Sequence, residues 1–311
     1  MTIVLNDKDL GGRHVMQTAI RAVEDVLFAR AQGEVISPPR HHVSFSKHGD
    51  LVFTIGGMSG SKPLAGFRVY DTFKGPEHTQ IVAVWSSDNA ELKGLVLGNY
   101  LGAVRTGAIG GVAIRHLSNP AAYSLGVLGS GLQARTQLAA AVAVRPIQTA
   151  RVYSRDPENR AAFARAMQCE LGIDIQPVGS IKEAVHDADI VICATSSQSP
   201  IIKACDLKLG AHVNTVGPKT ILGHEVGCDI AARAGIIATD SKEQTRAYAA
   251  PFFLNGSGHE ERMVELSDLM VGSVRGRMSE QEISLFCSVG LAGTEVAVAA
   301  ALLDQHKVAS F

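Results

Sequence analysis

The apolar positions fall into two rhythms that change near Pro120. In the first part, Met16, Ala19, Ile20, Val23, Val26 and Leu27 recur at helical spacing, which predicts an amphipathic helix over roughly 15–31 stopped by Gly33. Apolar–polar alternation follows at Val43–Phe45, Leu51–Ile55, Phe67–Tyr70 and Ile81–Trp85, with Gly56, Gly57, Gly60 and Gly66 among them. A period of two broken by glycine turns predicts a largely antiparallel sheet. A second helix is predicted over 98–117. Beyond Pro120, near-continuous apolar runs appear at Leu125–Leu128, Ala150–Ser154, Ile175–Pro177, Ile190–Ala194, Val213–Val216 and Gly235–Thr239. Helical stretches at Leu138–Val144, Arg160–Met167 and Ile181–His186 separate several of them. Strands that are apolar on both faces and joined by helical crossovers predict a doubly wound parallel sheet. The stretch from Gly290 to Leu303 reads as a last helix, with Ala292, Val296, Ala299, Ala300 and Leu303 on one side.

The chain has 311 residues, enough for two domains of ordinary size. Its 46% apolar and 19% charged residues are those of a globular α/β enzyme, not of a disordered chain. The net charge is −1 and no basic run occurs, which excludes a nucleic-acid face. Five cysteines (Cys169, Cys193, Cys205, Cys228, Cys287) make an odd number without Cys-x-x-Cys spacing. That argues against a disulfide framework or a zinc site and fits the reducing cytoplasm. No signal-peptide layout opens the chain, and no apolar run reaches the ~18 residues of a membrane helix. His41 and His42 are adjacent but lack a third ligand at metal spacing, so no metal is expected.

The sharpest chemical signal is Leu125-Gly-Val-Leu-Gly129-Ser-Gly131-Leu-Gln-Ala134, where an apolar strand ends and a helix begins. This context makes Gly-x-Gly-x-x-Ala a Rossmann dinucleotide fingerprint. Gly129 makes the tight turn, Gly131 lets backbone approach a pyrophosphate, and Ala134 permits close helix–strand packing. Ser130, Leu132 and Gln133 complete the loop, whose helix N-terminus offers N–H groups to phosphate. The second strand ends Tyr153-Ser154-Arg155-Asp156. Ser154 stands where an NAD site places an acid. A hydroxyl followed by a guanidinium suits a 2′-phosphate, which favours NADP(H); Asp156 keeps NAD(H) as the alternative. Thr195, Ser196 and Val216 end strands at the carboxyl edge of the sheet and join the candidate cofactor set.

Several motifs in one order resemble the ornithine cyclodeaminase/mu-crystallin family. They are Gly98-Asn-Tyr-Leu-Gly-Ala-Val-Arg105-Thr-Gly-Ala108, the Gly129 loop, Ala188–Ser196, Gly210–Gly217, Ala238–Ser241 and Ser288–Ala292. The resemblance implies a discontinuous α+β substrate-binding and dimerisation domain, 1–118 with 290–311, around a dinucleotide-binding domain, 119–289. It implies a homodimer, and hydride transfer at the α-carbon of a small amino or imino acid. Arg40 and Arg105 match two family arginines that grip the substrate carboxylate, a role suited to the planar guanidinium fork.

Three positions depart from the cyclodeaminase pattern. Gly56 stands where an acid precedes Met-Pro, and Ser59 replaces that Pro. Arg68 replaces a lysine, so it can hold a carboxylate but cannot exchange a proton. Lys219 in Gly217-Pro218-Lys219 replaces an aspartate and reverses its charge. The expected function is therefore a ketimine (cyclic imine) reductase or amino-acid dehydrogenase. Arg40, Arg68 and Arg105 would fix the carboxylate, and Lys219 or water would supply the proton. The alternatives are cyclodeaminase-type chemistry and a non-catalytic NADPH-binding carrier or sensor.

Overall fold

The computed structural model describes residues 2–75 and 78–309. It contains two compact units, one up to Arg105 together with the residues from Gly290, the other Thr106–Val289. The changeover lies inside a helix that ends at Leu117.

In the first unit, β1 (Ile3–Asn6) leads to α1 (Arg13–Ala31). Gly33, at φ 76°, closes α1: its N–H and that of Glu34 donate to the Arg30 and Ala29 carbonyls, the double bond of a left-handed helix stop. There follow β2 (Val35–Ile36), β3 (His41–Ser44), β4 (Asp50–Met58), β5 (Leu64–Asp71), β6 (Gln80–Ser86) and β7 (Leu92–Gly98). The sheet order is β1-β7-β6-β5-β4-β2, with β3 also on β4. All pairs are antiparallel except β1 with β7, a parallel pair the alternation pattern does not reveal. Val52, Val82, Val84 and Val96 are buried on the face covered by the C-terminal helix Thr294–Ala309, against which α1 packs. That helix starts later than the sequence pattern predicts, because Gly290 (φ 86°) and Gly293 (φ 88°) take left-handed conformations no α-helix contains.

Helix α2 (Tyr100–Leu117) is capped from a distance at both ends. The Asp7 carboxylate accepts from the Asn99 and Tyr100 N–H groups, and the Arg145 guanidinium donates to the Ile114, Arg115 and Ser118 carbonyls. In the second unit come β8 (Ser124–Leu128), α3 (Leu132–Val144), β9 (Thr149–Tyr153), α4 (Pro157–Leu171), β10 (Asp174–Pro177), α5 (Ile181–Val185), β11 (Ile190–Cys193) and β12 (His212–Thr215). A short hairpin, β13 (Lys219–Thr220) and β14 (Gly223–His224), precedes α6 (Cys228–Arg233) and β15 (Ile236–Thr239). Then follow α7 (Lys242–Arg246), β16 (Met263–Glu265), α8 (Leu266–Met270) and β17 (Ser284–Cys287). The eight-stranded sheet is parallel throughout, in the order β10-β9-β8-β11-β12-β17-β15-β16. The order turns back between β8 and β11, and such a switch point opens a crevice at the carboxyl ends of the strands. No helix of the described residues is long and apolar enough to cross a membrane.

His212 on β12 is fully buried beside Ser284 Oγ (2.9 Å). Burial, aided by the charges of Arg277 and Arg145, pushes its pKa from 6.5 down to about 3. The unfolded chain therefore binds a proton that the folded one refuses, and stability falls as pH drops from 6.5 toward about 3. In urea titrations across this window, His212→Gln should flatten the acid limb by up to about 1.4 kcal/mol per pH unit.

Candidate functional site

Gly129 leaves β8 at φ 111°, and its N–H donates to the Tyr153 carbonyl at 2.8 Å. A methyl group placed on it would lie 2.3 Å from the Ala194 carbonyl oxygen, so only glycine fits. Gly131 is the extended N-cap of α3 and makes no side-chain cap to the helix. A methyl group there would meet nothing within 4 Å. The turn is thus tight where the fold needs it and open where a ligand would lie. Ala134 is fully buried, Gln133 is half-buried with its Oε1 lacking a hydrogen-bond partner among the described residues, and Leu132 is exposed.

A cavity of about 860 Å³ opens at this turn. Its lining brings together Gly129, Ser130 and Gly131 with Ser154, Arg155, Asn159, Thr195, Ser196 and Gln198. Leu132, Gln133, Ala134, Val216 and Lys219 are not among the lining residues. Ser130 Oγ and Ser154 Oγ are 3.0 Å apart, which joins the loop to the end of β9. Asp156 also lines the cavity, and its Oδ1 accepts from Glu158 N (2.8 Å) and Asn159 N (3.0 Å) as the N-cap of α4. The end of β9 therefore offers a hydroxyl, the exposed Arg155 and a carboxylate of which one oxygen serves the cap. Open backbone, uncapped helix amides and a cavity of this size suit a dinucleotide.

The far wall depends on Glu225, which the sequence did not single out. Its buried carboxylate accepts from Thr195 N and Oγ1 (2.8 and 2.7 Å), Thr215 Oγ1 (2.8 Å), Val216 N (3.2 Å) and Gly217 N (2.6 Å). These bonds fix the loops leaving β11 and β12. Lys219 lies just past them, 5% exposed, its Nζ donating to the Gly217 carbonyl at 2.5 Å.

In the first unit, three arginines converge. Arg105 NH2 and Arg68 NH1 lie 2.6 and 3.2 Å from the same oxygen of Glu295, on the first turn of the C-terminal helix. Arg68 Nε donates to Gln80 Oε1 (2.8 Å), and its guanidinium lies 4.3 Å from the Tyr70 ring centroid. Arg40 NH2 donates to the Gly290 carbonyl at 3.3 Å. Burial pushes the Glu295 pKa up, but Arg105, Arg68 and Arg40 outweigh it and hold the carboxyl below its ordinary value. Glu295 was missed because its arginines stand 190 and 227 residues away. Gly56 has no room for an acid: a methyl group there would lie 2.7 Å from the Ile36 carbonyl and 2.9 Å from the Gly293 backbone.

The emptiness around Gly131 gives a direct test. Gly131→Ala should leave the thermal midpoint within about 2 °C of the parent, because no protein atom is displaced. It should weaken dinucleotide binding about ten- to a hundredfold, measured by fluorescence titration.

Over residues 1–309 the chain matches the model of the ornithine cyclodeaminase/mu-crystallin family. It is 32% identical over 282 residues to a Delta(1)-pyrroline-2-carboxylate reductase of Bacillus cereus, covering 87% of this chain and 86% of that protein. Among solved structures, Thermococcus litoralis Delta(1)-pyrroline-2-carboxylate reductase in complex with NADH and L-proline matches with a TM-score of 0.89 at 28% identity, over 99% of this chain and 98% of that one. An archaeal alanine dehydrogenase dimer with bound NAD matches with a TM-score of 0.86 at 25% identity, over 100% and 97%. By a match that spans both units, this chain belongs to the ornithine cyclodeaminase/mu-crystallin family.

Proposed function

We propose that the protein is an NAD(P)H-dependent reductase of an α-imino acid, with a cyclic ketimine as the favoured substrate class. The observation that carries this reading is the open Gly131 cradle at the switch point of the parallel sheet. The converging arginines of the first unit supply the second requirement, a clamp for an α-carboxylate. The relatives named pyrroline-2-carboxylate reductase point to the same chemistry.

The dinucleotide would be held by Gly129, Ser130, Gly131 and the first-turn amides of α3, with Thr195 and Ser196 on the opposite wall. When bound, its reduced nicotinamide supplies hydride for the C=N carbon. We assign the 2′-phosphate of NADP(H) to Ser154 and Arg155, a hydroxyl followed by a guanidinium; Asp156, whose Oδ1 caps α4, keeps NAD(H) as the alternative. Arg40 and Arg105 would hold the substrate carboxylate and so fix the neighbouring α-carbon. A cyclic ketimine takes its proton readily from water, which relieves the site of a dedicated carboxylic acid. We assign delivery of that proton to Lys219, whose Nζ donates to the Gly217 carbonyl. The arrangement disfavours cyclodeamination, because Gly56 cannot be replaced by an acid without displacing Gly293.

The first unit is also proposed to pair two copies. Ile55 (54% exposed) and Ile81 (41% exposed) share the outer face of the antiparallel sheet with Phe67 and Val69. An apolar sheet face of this kind, left open in one chain, is what a homodimer buries.

Steady-state assays with a panel of cyclic and open-chain imino acids should show turnover, with NADPH bound more tightly than NADH. Arg105→Ala should raise KM for the imino acid about a hundredfold or more while leaving NADPH affinity intact. Loss of NADPH affinity instead would refute the clamp. In sedimentation runs the parent should be a dimer, and Ile55→Lys with Ile81→Lys a monomer of unchanged circular dichroism.

A further inference from the structure

Gln133, in the first turn of α3, carries an amide oxygen that nothing answers. Its Oε1 is shut off from water and has no hydrogen-bond partner among the described residues. Turning the amide over would bury its nitrogen in place of the oxygen, so either orientation leaves one polar atom without a partner. A buried carbonyl oxygen without a donor costs free energy that an apolar side chain would avoid. Gln137, one turn along the same face of α3, shows the contrast. It is fully buried, its Nε2 donates to the Thr106 carbonyl at 2.9 Å, and its Oε1 accepts from Asn214 Nδ2 of β12 at 2.9 Å.

The stripe of α3 that holds both glutamines therefore faces β12 and the part of α2 from Thr106 onward. Because α3 begins where β8 ends, the step from Gln137 back to Gln133 leads toward the carboxyl edge of the parallel sheet. Gln133 is not among the residues that line the cavity between Gly131 and the end of β9. A dinucleotide with its pyrophosphate at Gly131 and its adenosine at the end of β9 must send its other half across the switch point, toward β11 and β12. Gln133 stands on that side. An unanswered acceptor there calls for an N–H donor, and the nicotinamide ring carries one in its carboxamide.

We infer that Gln133 is the acceptor for the carboxamide nitrogen of the nicotinamide. The assignment deepens the dinucleotide reading of the Gly131 loop and rests on it. An acceptor at one edge of the ring fixes the ring's rotation, and that rotation decides which face is turned to the substrate.

Ligands that differ in this one group test the assignment by binding, without turnover. In the 3-acetylpyridine analogue of NADPH a methyl group replaces the carboxamide nitrogen, and 2′-phospho-ADP-ribose lacks the ring altogether. In calorimetric titrations the parent should bind NADPH about tenfold more tightly than the acetylpyridine analogue. Gln133→Met should weaken NADPH about tenfold, abolish the preference between these two ligands, and leave the affinity for 2′-phospho-ADP-ribose within about twofold. Its thermal midpoint should fall by no more than about 2 °C, since the amide makes no bond in the free protein. A collapse of the midpoint, or an equal loss for all three ligands, would make Gln133 a structural residue and overturn the assignment. Unchanged NADPH affinity with a raised KM for the imino acid would give the acceptor to the substrate nitrogen instead and overturn it as well. Failure of all three ligands to bind the parent would remove the dinucleotide reading itself. A preference that is present in the parent and lost in the variant, without reduction of any imino acid, would support the assignment and overturn only the proposed reaction.

Discussion

The carboxyl edge of the parallel sheet is organised by one buried negative charge. Removing a carboxylate from water costs several kcal/mol, and Glu225 offsets that by accepting hydrogen bonds from Thr195, Thr215, Val216 and Gly217. Each such charge-assisted bond contributes about 1.5–3 kcal/mol. Its donors are Thr215 at the end of β12 and residues of the loops after β11 and β12, so one side chain fixes a wall of the cavity beside Gly129 and the turn that leads to Lys219. Gly217 is required beside it, since a methyl group there would lie 2.5 Å from the carboxyl carbon.

The first unit also centres on a buried acid, but its partners there are cations. There a group of cations is drawn together and one acid, Glu295, makes their proximity tolerable. In both places the acid is buried and its partners come from distant segments. Both acids are therefore read as fold-forming residues with consequences for a site. The arginines of Glu295 stand 190 and 227 residues away and the nearest donor to Glu225 eight residues back, spacings that no local pattern reveals.

What the sequence made legible follows the same division. Runs such as Leu125–Leu128 and Ile190–Cys193 are apolar on both faces, and they proved to be the central strands of the parallel sheet. The Gly129 loop carries its geometry in its own residues, so its turn was predictable. The family resemblance, carried by several motifs, is borne out over the whole chain. In contrast, Ser284–Cys287 is an interior strand of the sheet but follows a polar stretch with no helical crossover pattern before it, so no periodicity announced it. The parallel pairing of Ile3–Asn6 with Leu92–Gly98 was invisible because its register is set across the whole first unit. The positive φ of Gly290 and Gly293 likewise belongs to tertiary packing, and it delayed the last helix. Asp156 carries two signals at once: Asp before Pro at a helix start is a capping pattern, and the same carboxylate keeps the NAD(H) alternative.

That capping role ties two kinds of selection to one side chain. A lineage that drifts from one nicotinamide cofactor toward the other must recruit or discard a carboxylate beside the adenosine ribose. Here Asp156, which lines the cavity, also secures the start of a fifteen-residue helix through one of its oxygens. Under the proposed site, a substitution at Asp156 made to suit another cofactor would also loosen that helix, so selection on the ribose pocket would act on folding at the same time.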